Sequence, residues 1–581
     1  MSDVCLDDDQ LTVATCDPSE RQVVIAGPGA GKTHVVARLV ENLIIDEGVD
    51  PVNGLLVLSF SNAAVHAVHA RLKAHDVPPV QVRTIDSLAG LILRRYAEDD
   101  PTSSSFEARV SHATELLKTG GWDDGEDIEH VLVDEVQDVV GVRADFVLAL
   151  LASIPKEAGM TLLGDPAQAI YDFQLAEEGG GTTSSEMLDQ VRADGARTVF
   201  LRGQYRARSR DAVAAAGLRM SGADTADPDD VEDFWNEVVP LGSAGEAWDV
   251  LATRSGTKAF LTGTNGHALL VASALRDMGL RVTLHRGAQQ QCLAAWIALV
   301  FVSPAASLAR DEFRDLLSEV APKVDTAVAW QALRSVVSGR GTEIDKVALA
   351  SSLRARFTFA PELVSVPDAD VVVSTVHRAK GLEFDHVALV EDLSPGQSRT
   401  AEEESRGRFV ALTRAKDLLL RVPGPSDRTV RLHKPPPPAG ARWIRGGPQK
   451  WQTLAFEMRM GDIDGDAGGD LGVTGATGML DVKYLVGRSA RLTPDLVLST
   501  LERPIYSVEI EGKSVGVTTE AFGTDLVSRI GGLERRRRGW PTLTNAYIED
   551  VATFVDESLK FRLIPVLSGL ADIEWSDSDG E

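Results

Sequence analysis

Short apolar runs, each closed by a polar or glycine-rich turn and followed by a helical periodicity, recur along the first three-quarters of the chain. Val23–Ala26, Leu55–Ser59, Val80–Thr84, Val131–Asp134 and Thr161–Gly164 read as strands of one parallel sheet, since strands buried on both faces are apolar throughout. Val199–Leu201, Ala259–Thr262, Val282–Leu284, Val371–Thr375, His386–Val390 and Leu418–Val422 read as a second set. Alternation of strand and helix predicts two doubly wound α/β sheets. The stretch from about 286 to 365 reads as helices, for example Leu293–Val300, and Lys434–Gly440 with its four prolines reads as a stiff linker. Beyond it, Trp451–Met458 has a helical pattern, Gly461–Gly472 is acidic and flexible by composition, and Tyr506–Ile510 with Ser514–Val517 reads as a hairpin turning at Glu511-Gly512-Lys513.

The 581 residues exceed what one core organises and predict several domains. No apolar run is long enough to span a bilayer, and the acidic start MSDVCLDDDQ has no signal-peptide character, so a cytoplasmic protein without membrane contact is expected. Three cysteines without CxxC spacing indicate neither a disulfide framework nor a zinc site. A net charge of −27 argues against a protein that coats nucleic acid with a general basic surface, so any polyanion track is local.

The strongest chemistry lies between Val23–Ala26 and the helical pattern from Val35: Gly27-Pro-Gly29-Ala30-Gly31-Lys32-Thr33-His34. This GxxxxGKT run in strand-loop-helix context is a phosphate-binding loop, whose glycines let backbone N–H groups turn onto a triphosphate. Lys32 then reaches the β- and γ-phosphates, and the Thr33 hydroxyl ligates Mg²⁺. A second strand, His130–Val133, runs into Asp134-Glu135-Val136-Gln137-Asp138, a Walker B pattern. There Asp134 suits Mg²⁺ and Glu135 suits polarisation of the attacking water.

Further motifs follow in a fixed order. Leu58–Ala64 and Thr84–Leu88 stand between the Walker elements; Gly164–Phe173, Leu201–Arg206, Ser374–Phe384 and Phe409–Ala415 come after them. Together, from about Leu6 to Leu420, they resemble the UvrD/PcrA/Rep family of superfamily 1A DNA helicases. The resemblance implies two RecA-like P-loop NTPase domains with short helical insertions and a separate C-terminal α+β domain, using ATP and Mg²⁺. It implies an adenine-reading Gln10, a base-stacking Tyr205, arginine fingers Arg206 and Arg414, a γ-phosphate sensor Gln168 and a ribose contact Glu383. Arginines brought in from a second domain would complete the site only when a cleft closes. Phe60, Tyr171 and Phe173 match positions that stack single-stranded DNA bases, with core packing as the alternative for each, and Asn62, Thr84 and His377 match backbone contacts. Ser59, Ser61, Asp86 and Gln174 depart from the family pattern, and Gln174 removes a cation from the expected DNA path.

The expected layout is a first RecA-like domain over 1–203 with a 1B insertion at about 91–129. A second follows over 204–433, with a 2B-like insertion at about 286–365, then a linker over 434–450 and an accessory domain over 451–581. Insertions this short suit a translocase acting on single-stranded DNA or tailed duplex, with inherited 3′→5′ polarity. Two alternatives stay open: an ATP-switched binding protein that assembles a protein partner through its C-terminal domain, and a helicase-nuclease. The latter rests on Pro494-Asp495 and Glu511-Gly512-Lys513, the outline of a PD-(D/E)xK motif, against a plain hairpin turn. The basic run Glu534–Trp540 suits nucleic acid, an acidic partner or simply solvent.

Overall fold

The computed structural model describes residues 6–59, 80–97, 105–170, 175, 180–219, 226–285, 291–302, 305–337, 342–356, 359–391, 400–427, 429–449, 452–467, 484–500, 503–531 and 539–575. The chain forms two compact units. One comprises residues 1–239, 380–387 and 396–420, the other residues 240–379, 388–395 and 421–581.

The first unit is built on strands β1 (Arg21–Ala26), β2 (Leu55–Ser59), β3 (Gln81–Thr84), β4 (His130–Asp134), β5 (Gly159–Gly164) and β6 (Arg197–Leu201), in the order β3-β2-β4-β5-β1-β6. All neighbours pair parallel. β2, β4 and β5 are buried along their whole length because helices cover both faces of the sheet. The core on one face gathers Ile25, Leu58, Val133 and Phe146; that on the other gathers Val24, Leu39, Leu132 and Leu163. β1, β4 and β5 end at one level, since Ile25 pairs with Gly164 and Asp134 with Leu163. Loops leaving these ends therefore converge. Val199–Leu201, expected in the second sheet, belongs here instead: β6 pairs with β1 from Gln22↔Arg197 to Ala26↔Leu201. The helix Ser184–Ala193 supplies the crossover to the open edge of β1.

In the second unit, β7 (Lys258–Thr262) and β8 (Val282–Leu284) flank β12 (Val371–Thr375) in parallel. Before β12 come β9 (Leu293–Ala294) and an antiparallel pair, β10 (Ser307–Ala309) and β11 (Glu343–Asp345). β13 (Phe384–Val390) and β14 (Ala415–Val422) complete a sheet of order β14-β13-β7-β12-β8.

The C-terminal region makes its own antiparallel sheet. Its strands are β15 (Val430–His433), β16 (Arg442–Gly446), β17 (Thr453–Met458), β18 (Ser489–Pro494), β19 (Tyr506–Ile510), β20 (Lys513–Val517), β21 (Thr542–Val555) and β22 (Phe561–Glu574). Their order is β15-β16-β17-β22-β21-β18-β19-β20, with β9 added on β21. The proline run lies in the connection between paired β15 and β16, where His433 faces Arg442, so it closes a hairpin rather than separating two bodies. The segment read as a helix from Trp451 is β17 over its described part, because pairing with β16 and β22 supplies every backbone partner a strand needs. Within the acidic tract, Asp462 is buried and takes two hydrogen bonds from Arg442, at 2.8 and 2.7 Å. The predicted hairpin is present, and Glu511 and Gly512 at its tip both have positive φ, 49° and 79°, as a two-residue hairpin turn demands.

The helical insertion shares the core of this sheet. Trp296, Phe313 and Trp330 join Phe456, Tyr506, Phe522 and Leu567 in one hydrophobic cluster. The Thr553 hydroxyl on β21 donates to the Ala294 carbonyl at 2.7 Å and accepts from the Ala298 N–H at 3.0 Å.

Candidate functional site

The described site lies in the first unit, where β1, β4 and β5 end. β1 delivers the chain into the loop Gly27–Gly31, and the helix Lys32–Ile45 leaves it. Gly29 and Gly31 have φ of +79° and +80°, a conformation that side chains resist. A Cβ on Gly29 would stand 2.1 Å from Gln204 Oε1, and one on Gly31 2.7 Å from Gln10 Nε2. The loop is thus glycine for conformation and for space. Thr33 and His34 open the helix, and the His34 N–H donates to the Gly31 carbonyl at 2.9 Å. The Lys32 ammonium lies 3.4 Å from the Ala26 carbonyl.

Gln10 is buried on the short helix Asp8–Ala14, and its Nε2 donates to the Ala30 carbonyl at 3.0 Å. Asp7 caps that helix, accepting from the Gln10 N–H at 2.7 Å, and its other oxygen accepts the Tyr205 hydroxyl. That bond pushes the Tyr205 phenol up to about 12. The Tyr205 N–H donates to the Gly29 carbonyl at 2.9 Å while its ring stays exposed. An exposed aromatic face beside the loop is free of core packing and suits a base.

Asp134 and Glu135 follow β4, and the Glu135 N–H donates to Asp134 Oδ1 at 2.9 Å. Glu135 itself has φ of 56°, a left-handed backbone that a non-glycine residue holds only under constraint. Burial, then the neighbouring Glu135 charge, pushes the Asp134 carboxyl up to about 7. Burial also acts upward on Glu135, but Lys32, a Gln137 hydrogen bond, Lys380 and Arg414 together hold it below the usual range. The pair is therefore split, with the ionised form favoured on Glu135.

Arg206 and Arg414 fall in this same unit. Arg206 reaches Glu383 Oε1 at 3.1 Å and the Thr413 carbonyl at 2.6 Å. Arg414 is buried, and its Nη2 donates to Gln168 Oε1 at 2.8 Å. Burial, then the nearby Arg206 charge, brings its guanidinium down to about 9, so the site favours an added anion. Glu383 is held low because Arg206 and Lys416 outweigh its burial.

Residues without an assigned role complete the constellation. Gln137 donates to Glu135 and accepts from the Asp165 N–H at 2.9 Å. Asp165 is fully buried and accepts from Gln168 Nε2 at 2.7 Å and Arg219 Nη1 at 3.1 Å. Lys380 pairs with Asp138 and donates to the Gln168 carbonyl at 2.6 Å. Gln137, Asp138, Asp165 and Lys380 stood inside motif strings and could have been found there; Arg219 stands in none. Asp86, one of the departures from the family pattern, forms a two-bond ion pair with Arg143 at 2.9 and 3.1 Å.

The expected DNA contacts fare differently. Phe60, Asn62, Tyr171 and Phe173 lie outside the described residues, as do Gln174 and the basic run 534–538. The Thr84 hydroxyl caps the helix Ile85–Tyr96, accepting from the Ser87 N–H at 3.1 Å. His377 is partly buried in the turn after β12, in the second unit.

The nuclease outline does not assemble. The Asp495 N–H donates to the Ile505 carbonyl, while Glu511 sits at the far tip of β19 and pairs with Arg488 at 2.6 Å. Six residues of extended chain put the two carboxylates on the order of 15–20 Å apart. Among the described residues no cluster of three or more His, Cys, Asp or Glu could hold a metal ion. Magnesium asks for less: one or two carboxylates beside substrate phosphates and water, which the buried Asp134 and the Thr33 hydroxyl fit. No described helix is long and apolar enough to cross a membrane.

A family model for the UvrD/REP helicase N-terminal domain matches residues 6–121 and 123–181, and one for the UvrD-like helicase C-terminal domain matches residues 358–421. Among solved structures, the Pif1 helicase of Candida albicans aligns over 72% of this chain and 95% of its own, at 11% identity and a TM-score of 0.37. A comparison with curated protein sequences returns no match.

Proposed function

Because the chain belongs to the UvrD-like superfamily 1 DNA helicases, we propose that it couples ATP hydrolysis to 3′→5′ translocation along single-stranded DNA. The observation that carries this reading is the convergence of Lys32, Glu135, Gln168, Arg206 and Arg414 at the ends of β1, β4 and β5. Phosphoryl transfer needs little covalent help; it needs charge placed where the transition state develops it.

Each residue then has a task. Gln10 and the exposed Tyr205 ring hold the base, Glu383 the ribose, and the N–H groups of Gly29–Thr33 the phosphates. Lys32 offsets charge on the transferring phosphate. Glu135, kept ionised by surrounding cations, orients the attacking water and takes its proton. Arg206 and Arg414 stabilise the equatorial oxygens, and Gln168 links Arg414 to the end of β5. Thr33 and Asp134 would hold Mg²⁺, which would supply positive charge to offset that of the phosphates. Phe60, Tyr171 and Phe173 grip bases through stacking, a sequence-neutral contact, with Asn62, Thr84 and His377 on the backbone.

The test uses labelled duplexes carrying a 3′ or a 5′ single-stranded tail. Strand-stimulated ATPase with displacement from the 3′-tailed substrate alone supports the reading. Displacement from the 5′ tail reverses the polarity, and hydrolysis indifferent to DNA removes translocation.

A further inference from the structure

Gln204 lies in the turn after β6, within the string Leu201–Arg206, and the family resemblance gives it no role. Its half-buried amide bonds in two directions. Nε2 donates to the Pro28 carbonyl of the phosphate loop at 2.6 Å, while Oε1 accepts from the N–H groups of Arg206 and Ala207 at 2.9 and 3.1 Å. So close an approach depends on Gly29, where a Cβ would stand 2.1 Å from that Oε1 and 2.8 Å from the Arg206 Cβ. Three successive loop carbonyls are in fact held from outside the loop: Pro28 by Gln204, Gly29 by the Tyr205 N–H at 2.9 Å, and Ala30 by Gln10 Nε2 at 3.0 Å. In a planar trans peptide the N–H opposes the C=O, so the bond to the Pro28 carbonyl sets the direction of the Gly29 N–H. That N–H is one of the donors with which such a loop meets phosphate.

We propose that Gln204 is a positioning residue that sets the phosphate loop and Arg206 in register with each other, so that one amide governs both phosphate binding and the placement of the arginine. The proposal rests on the reading of this site as an ATP-hydrolysing site in which Arg206 acts on the transferring phosphate. The donor half of the amide orients a loop peptide; the acceptor half closes the turn from which the Arg206 side chain departs. That side chain runs on to Glu383 Oε1 at 3.1 Å and the Thr413 carbonyl at 2.6 Å, so Gln204 controls its backbone end. A local turn needs only a nearby side-chain oxygen, which the shorter Asn or Asp supplies. The longer glutamine also carries a donor to a second segment 176 positions away, and this bridge is what a turn alone would not require. Losing the bridge lets the turn and the loop shift apart, and a misplacement of about 1 Å in such a site costs on the order of 10²-fold in rate.

The experiment measures kcat for ATP, with a single-stranded oligonucleotide present, and affinity for fluorescent ADP. Full-length wild type is compared with Gln204→Met, Gln204→Glu, Arg206→Ala, the double variant Gln204→Met/Arg206→Ala, and Lys32→Ala. Gln204→Met keeps the length and removes both polar atoms. It should lose about threefold or more in ADP affinity, the effect of one hydrogen bond, and about tenfold or more in kcat. In the Arg206→Ala background the same change should again weaken ADP but lower kcat by less than about threefold, because its route to turnover is already gone. Gln204→Glu keeps the acceptor and, once protonated, regains a donor for the Pro28 carbonyl. Its kcat relative to wild type should therefore recover as pH falls from about 8 to about 5.5, while the Gln204→Met ratio stays flat. Smaller losses in Gln204→Met, a kcat loss that multiplies fully with that of Arg206→Ala, or a flat Gln204→Glu ratio overturns the proposal. Where Gln204→Met does not fold, the pH response of Gln204→Glu decides. Failure of wild type to hydrolyse ATP, or undiminished hydrolysis by Lys32→Ala, overturns the ATP reading and this proposal with it. Where wild type hydrolyses ATP and Lys32→Ala does not, that reading stands and the Gln204 variants decide alone.

Discussion

Arg414 Nη2 donates to Gln168 Oε1 at 2.8 Å across 246 positions of sequence, with both side chains buried. The contact ties the residues that follow β5 to the arginine proposed as a finger. Gln168 is held in turn by Asp165, so the amide is fixed from both sides.

Arg414→Ala should lower the turnover rate by about 10³-fold, as loss of an arginine finger does, and leave nucleotide affinity comparatively intact. Gln168→Ala should do less alone, and the double variant should add little to Arg414→Ala. Single-turnover hydrolysis of all three beside nucleotide titration checks this. Full additivity would show that the two side chains act independently.

Glu135→Gln should bind ATP and hydrolyse it about 10²–10⁴-fold more slowly, the range expected on losing a general base. Wild-type turnover in this variant would remove Glu135 as the residue that activates water.

Gly29→Ala and Gly48→Ala form a matched pair, since both backbones are left-handed at φ +79° and +78°. Each should cost about 1–2 kcal/mol from that conformation. At Gly48 nothing lies within 4 Å, whereas at Gly29 the new Cβ meets Gln204 Oε1 at 2.1 Å. Gly29→Ala should therefore also displace Gln204 and lose nucleotide affinity, with Gly48→Ala showing a lower melting temperature and unchanged binding.

Asp138 carries a pH signature. Burial is the largest cause and pushes its carboxyl from 3.8 up to about 6, against the pull of Lys380. Between those values the folded chain holds a proton that the unfolded chain has lost, so this group's contribution to stability falls as pH rises. Asp138→Asn cannot titrate there. Its melting temperature relative to wild type should thus rise from pH 4 to about pH 6.5 and then level off. A relative melting temperature independent of pH would show that the carboxyl titrates normally.

Removing residues 434–581 should expose the helical insertion, because Trp296, Phe313 and Trp330 share their cluster with Phe456, Phe522 and Leu567. Limited proteolysis should then cut within residues 291–302 and 305–337 more readily than in the full-length chain. Equal resistance would mean that the insertion's own apolar contacts suffice.

The sequence by itself determined the strands of both parallel sheets, the phosphate loop and the Walker B carboxylates. Their signals are local: an apolar run buried on both faces, glycines where φ turns positive, acids at a strand end. It also determined the hairpin around Glu511-Gly512-Lys513, whereas the structure alone shows that Lys513 already pairs with Ile510 and leaves a two-residue turn with positive φ at both positions. Tertiary structure alone decided that Val199–Leu201 pairs with β1, that the segment from Thr453 is a strand, and that the insertion shares a core with the C-terminal sheet. A short apolar run does not say which edge will accept it, and an ambiguous period yields to whichever neighbours satisfy its backbone. Arg219 shows the same limit at the site: nothing in its sequence surroundings marks it, and only folding carries it to Asp165 and Gly27. Chemistry written in contiguous residues is legible from the chain, whereas partnerships between distant residues exist only once the backbone has brought them together.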